Sequence, residues 1–145
     1  MINLSSLMRK LDRLGGDSRK SLRIGMLQAT KQVQGDAKML APVANVDGGR
    51  LRNSIEATVE EQGGELVGKV ATNVEYAAYV EFGTGQRGEE SPSPPKSPEK
   101  LSYRQDWAGM PAQPYLYPAA EQNKEIVPKI VASQLRKDIR KLGGS

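Results

Sequence analysis

Tyr76-Ala77-Ala78-Tyr79-Val80-Glu81-Phe82-Gly83-Thr84-Gly85 carries three of the seven aromatic residues of the 145-residue chain and ends in a Gly-Thr-Gly break. All seven aromatics lie between Tyr76 and Tyr117. Aromatic side chains dominate burial, so the distinctive part of the core is expected in that window. Thr72-Asn73-Val74-Glu75 ahead of it fits a capping box, in which Thr72 and Glu75 exchange side-chain and backbone hydrogen bonds. The decapeptide then reads as a helix of one to two turns. Tyr76, Tyr79 and Val80 share a face, and Gly83 suits the left-handed conformation that closes helices.

Working back towards the N-terminus, strict alternation runs through Leu51, Asn53, Ile55, Ala57 and Val59, which predicts a half-buried strand with Glu56 and Glu60 on its wet side. Glu61-Gln62-Gly63-Gly64 supplies a turn, and residues 65–72 form the returning strand of a β-hairpin. Leu22, Met26, Ala29, Val33, Ala37 and Leu40 recur at steps of three and four, so a helix from Asp17 or Ser18 to about Leu40 lays one stripe on the core and stops before Pro42. Residues 1–16 form an N-terminal extension or short helix, with apolar positions at Leu4, Leu7, Met8, Leu11 and Leu14.

Working forward, residues 86–100 hold four of the nine prolines, three serines and six charges but no large apolar residue. Such a segment buries too little surface to offset its ordering entropy and is expected as a flexible Pro/Ser-rich loop. Tyr103, Gln105 and Trp107 alternate and suggest a third strand. A final helix from Ala119 to Leu142 carries Val127, Val131, Leu135, Ile139 and Leu142 on its buried face. Pro118 fits its first turn, where no intrahelical N–H is needed, while Pro128 should kink or split it. The expected class is α+β: a small antiparallel sheet of the hairpin and at least one further strand, packed on a long N-terminal helix and a C-terminal helix, in one domain spanning residues 1–145.

Composition limits the chemistry. With no cysteine and no histidine, disulfides, thiolate metal sites and the commonest general base are excluded. Gly83-Thr84-Gly85 lacks the Gly-Lys-Ser/Thr continuation of a phosphate-binding loop. No carboxylate cluster has metal-ligand spacing, so no catalytic residue, metal, cofactor or small-molecule substrate is expected. The sequence has no apolar run of bilayer-spanning length and no secretory h-region, which predicts a soluble chain made inside the cell. Charge is segregated, with +5 over residues 1–40, −4 over 41–120 and +3 over 121–145. Basic ends around an acidic middle suit head-to-tail association of copies or contact with nucleic acid, and each basic segment taken alone reads first as a solvated helix face. Glu81, flanked by Val80 and Phe82, reads first as a structural carboxylate that accepts an arginine or backbone N–H groups, and second as half of an intersubunit ion pair with Arg50 or Arg52.

Four pieces in order carry a resemblance: Gly49-Arg50-Leu51-Arg52-Asn53-Ser54-Ile55, Val70-Ala71-Thr72-Asn73, the decapeptide from Tyr76 to Gly85, and Met110-Pro111-Ala112-Gln113-Pro114-Tyr115-Leu116-Tyr117-Pro118-Ala119. Together, over about residues 20–140, they resemble the head-tail joining or tail-completion proteins of long-tailed bacteriophages. Two departures are the insert at 86–100 and Tyr115, where phenylalanine is commoner. The resemblance implies a small α+β structural subunit of the virion neck, made in the host cytoplasm, that forms a homo-oligomeric ring, a hexamer or dodecamer. Such a ring touches connector or stopper proteins and tail-tube proteins, and DNA passes through its lumen. The interface or structural signature would be Arg50, Arg52, Tyr76, Tyr79, Glu81, Phe82, Gly83, Thr84 and Gly85. The alternative is a small basic nucleic-acid-binding module using Arg9, Lys10, Arg13, Arg19, Lys20 and Arg23, although no aromatic is interleaved with them for stacking.

Overall fold

The computed structural model describes residues 17–43 and 49–142, and these divide into two compact units. One comprises residues 17–33, 57–70 and 122–142; the other comprises 34–43, 49–56 and 71–121. The expected extension over 1–16 and the Gly143-Gly144 stop lie outside the described residues.

The first unit is built on helix α1, Asp17–Leu40, as the apolar stripe predicted. Its core is Ala29, Val131 and Leu135, with Leu22, Met26, Val127, Ile130 and Ile139 packed around them. The last five belong to helix α6, Ile126–Leu142, or face it from α1. Gly25 permits the close approach of the two helices, because a Cβ there would lie 3.2 Å from the Val131 Cα. A hydrogen bond from the buried Ser21 hydroxyl to Asp138 ties the same helices, and Gln134 donates to that carboxylate at 3.0 Å. Both donors hold the Asp138 carboxyl below the usual range.

The hairpin is β1, Glu56–Gln62, and β2, Glu65–Ala71. Gly63 and Gly64 both take positive φ, 58° and 84°, as a two-residue turn matched to the strand twist requires. Arg19 pairs with Glu61 and donates to the Gly64 carbonyl at 3.2 Å, so α1 holds the turn. Further along, the Thr30 hydroxyl donates to Met26 O at 2.6 Å and stands where Gly68 passes. A Cβ on Gly68 would come within 2.2 Å of the Thr30 hydroxyl oxygen.

In the second unit, alternation misled at one end. Arg50–Ser54 is a one-turn helix, α2, and β1 begins only at Glu56. Leu51 and Ile55 are both buried and Asn53 is exposed. A spacing of four serves a helix as well as a strand, and only Asn53 distinguishes the two. The predicted third strand at Tyr103 to Trp107 does not form; among the described residues the sheet has two strands. The carbonyls of Trp107 and Ala108 instead accept from the amides of Gln86 and Arg87 at 3.0 and 2.8 Å. Those amides open helix α4, Gly85–Glu90, where composition suggested only a loop. The lysine within the proline-rich segment supports this helix: Lys96 is buried, donates to the carbonyls of Gly88 and Glu89 at 2.8 and 3.1 Å, and lies over the Tyr103 ring. A cation on the last carbonyls of a helix is favourably placed.

The C-terminal helix is split, but not at Pro128. Helix α5 is Leu116–Gln122, and α6 starts at Ile126, so Pro128 falls in the first turn of α6. There its missing N–H has no intrahelical partner to lose. Pro118 occupies the same place in α5.

Candidate functional site

Helix α3, Ala77–Phe82, turns one side into the second unit and the other towards solvent. Its inward residues are Ala77 and Glu81, the latter 4% exposed. One carboxylate oxygen accepts from the amides of Tyr115 and Leu116 at 3.1 and 2.8 Å, and the other accepts from Tyr117 at 3.2 Å. These are the orphan amides at the start of α5, so the carboxylate caps a helix 35 residues away in sequence. The carboxylate is thus occupied by backbone N–H groups inside the unit. In this geometry neither Arg50 nor Arg52 reaches it.

Arg50 instead makes a two-pronged pair with Glu75, at 3.2 and 3.1 Å, and lies 5.6 Å above the Tyr76 ring. That contact removes Glu75 from the predicted capping box. Thr72 accepts from the Val74 amide at 3.2 Å and bonds the Ser54 hydroxyl, while α3 begins at Ala77 without a side-chain cap. Arg52 reaches the Ala41 carbonyl at 3.4 Å, and its Nε is buried without a hydrogen-bond partner.

Beside Glu81, Tyr115 is fully buried and donates its hydroxyl to the Ala77 carbonyl at 3.3 Å. Burial, then the nearby Glu81 charge and Tyr76, push its phenol up to about 12. The unfolded chain loses this proton near pH 10, so the contribution of the phenol is intact below pH 10 and is lost as pH rises towards 12. Two pH units correspond to about 2–3 kcal/mol. Urea midpoints measured from pH 9 to 12 should fall more steeply for the native chain than for Tyr115→Phe.

The Gly-Thr-Gly break is a crossing of two backbones. Thr84 and Met110 exchange N–H to O bonds of 2.9 and 3.1 Å, and the Thr84 hydroxyl also accepts from the Met110 amide. Gly83 has φ 73° and ψ −177°, which is open to glycine but is not the left-handed helical closure expected. Gly85 and Gly109 have φ of 60° and 70°. A Cβ at Gly83, Gly85 or Gly109 would lie 2.0 to 2.6 Å from backbone atoms of the opposing segment. Phe82 contributes its carbonyl, which accepts from the Tyr103 hydroxyl at 2.9 Å.

This crossing holds an aromatic surface. Tyr76, Tyr79, Val80, Thr84, Trp107 and Met110 line a groove of about 620 Å³, and Tyr79, Thr84 and Trp107 also border a smaller hollow of about 310 Å³ that reaches Leu101. Tyr79, Met110 and Trp107 are 64%, 58% and 49% exposed. Arg104, at the same rim, is clamped on Asp106 by bonds of 3.0 and 2.9 Å. Exposed Trp, Tyr, Met and Arg on a fixed backbone match the composition of protein interface centres. Sequence reasoning found Tyr76, Tyr79 and Thr84 but assigned Trp107 to a strand. Its being the one tryptophan of the chain was the available signal.

Among the described residues, no three carboxylates are grouped as metal ligands, and no helix is long and apolar enough to cross a membrane. A family model described as "Bacteriophage HK97-gp10, putative tail-component" matches residues 5–83, more than half of the chain. The match takes in α1, α2, the hairpin and α3, and ends at Gly83. No curated protein and no solved structure matches the chain.

Proposed function

Because this chain belongs to the HK97-gp10-like family of bacteriophage tail components, we propose that it is a neck subunit that assembles into a homo-oligomeric ring at the head-tail junction. As a phage tail component it is a structural protein of the virion and meets other virion proteins. In that ring it would contact connector and tail-tube proteins.

The observation that carries this reading is the aromatic groove. Tyr79, Trp107 and Met110 are exposed on backbone that the glycine crossing fixes, so they would lose little freedom on meeting a neighbour. In a ring each subunit presents such a surface to the next through a heterologous contact. The two-stranded sheet adds a second reason to associate, since among the described residues each of its strands is an edge.

Tyr79→Ala combined with Trp107→Ala tests the groove. Exposed truncations should change unfolding stability by no more than about 1 kcal/mol. Removing two interface anchors should cost about 2–4 kcal/mol in association, which lowers affinity roughly 30-fold or more. Sedimentation of the purified proteins and complementation of a phage lacking the native gene read the two effects separately. A native chain that stays monomeric at high concentration and is absent from purified virions would defeat the neck reading.

A further inference from the structure

The two basic ends of the sequence are not two separate surfaces. The Ser21 to Asp138 hydrogen bond sets the first turns of α1 beside the last turns of α6, across 117 residues of sequence. Lys20 and Arg23 on α1 and Arg136, Lys137, Arg140 and Lys141 on α6 are all exposed. Among the described residues, none of these six pairs with a carboxylate at ion-pair distance. Asp138 accepts from Ser21 and Gln134, and the charges of Lys137 and Lys141 also help to keep its carboxyl below the usual range.

Helix stabilisation accounts for only part of this clustering. Arg140 and Lys141 lie in the last turn of α6, where cations complement the helix dipole. Arg136 and Lys137 lie before that turn, and Lys20 sits in the first turn of α1, where a cation opposes the dipole. Six like charges on one end of a small unit repel one another, and an external polyanion would relieve that repulsion.

We propose that this end of the first unit, centred on Lys20, Arg23, Arg136, Lys137, Arg140 and Lys141, binds the phosphate backbone of double-stranded DNA without regard to sequence. Duplex DNA presents one negative charge about every 1.7 Å of axis, so several cations on two adjoining helix turns can engage it together. No aromatic residue lies in the first unit, all seven being between Tyr76 and Tyr117. Base stacking is thus absent from this surface, and backbone contact is what remains. An acidic protein surface is the competing partner. A second copy does carry exposed acids, Glu60 and Glu65 on the hairpin among them, so a DNA titration is read together with self-association. The DNA reading does not depend on ring formation.

Anisotropy titrations of a labelled 30-base-pair duplex with the full chain, at 50 to 300 mM salt, test it. Five to six phosphate contacts predict a slope of log affinity against log salt of about −5. Lys137→Gln with Lys141→Gln should reduce that slope by about 2 and weaken binding roughly tenfold or more at low salt. Arg87→Gln with Lys100→Gln removes the same charge from exposed positions in the other unit and should leave the slope and affinity within about twofold. Duplexes of different base composition should bind alike. Circular dichroism confirms that each variant is folded. Absence of salt-dependent binding by the native chain, or equal losses in both double variants, would overturn the proposal. So would a basic-face variant that alters self-association while binding DNA as the native chain does, which would assign the surface to an acidic protein partner.

Discussion

Gly109→Ala should unfold the second unit at temperatures where the native chain is stable. Gly109 holds φ at 70°, and a Cβ there would stand 2.0 Å from the Thr84 carbonyl oxygen and 2.4 Å from its carbon. Backbone strain of about 1–3 kcal/mol adds to overpacking of about 1–3 kcal/mol. Neither atom is the end of a flexible side chain, so the crossing itself must open. That would break the exchanged Thr84 and Met110 bonds and loosen the Trp107 and Ala108 carbonyls from α4. A loss of about 3–5 kcal/mol is expected in urea unfolding. Gly63→Ala is the matched comparison: its φ is 58° and a Cβ there meets nothing within 4 Å. It should cost about 1 kcal/mol, from conformation alone. Equal costs at the two glycines would mean that close approach is not what fixes the crossing.

The second large effect is expected at Glu81. Glu81→Ala leaves three α5 amides without their acceptor inside the unit. Hydrogen bonds to a charged group contribute about 1.5–3 kcal/mol each, and buried donors left unmet cost about 1–3 kcal/mol. The three share one carboxylate and do not add independently, so about 3–5 kcal/mol is expected. Glu81→Gln keeps one acceptor oxygen but turns an NH2 group towards at least one amide, and should recover only part of the loss. Both losses should appear in the isolated, dilute chain and change little between low and high salt. A variant that keeps native stability but assembles differently as salt is raised would instead restore the intersubunit ion pair with Arg50 or Arg52.

The elements that local chemistry defines were legible in the sequence. The stripe from Leu22 to Leu40 made α1, paired glycines made the hairpin turn, and Pro118 marked the start of α5. Departures arose where a distant partner outweighed a local pattern. Glu75 fits a capping box, yet Arg50 takes it. Tyr103 to Trp107 alternates like a strand, yet its neighbouring carbonyls serve the amides of α4. Lys96 sits among prolines and serines, yet its ammonium finds two carbonyls and a ring. The candidate surface divides in the same way. Tyr76 and Tyr79 share a helical face that spacing reveals, whereas Trp107 and Met110 join them only through the glycine crossing. The part of Glu81 that could be read was its kind of role, because a carboxylate between apolar neighbours needs donors. Its donors, on another helix, could not be named.

Gly68 and Thr30 give the hairpin a single notch. The α1 hydroxyl fits against β2 only at the position that lacks a Cβ. The two sides of the turn should therefore differ in their tolerance of added length. An extra residue between Gly63 and Gly64 extends a loop and leaves the notch aligned. One inserted between Gly64 and Gly68 brings Val67 under the hydroxyl and also turns the outward side chains of the following strand inward. The hairpin can thus vary at its tip across related chains, while the three residues between Gly64 and Gly68 must keep their count.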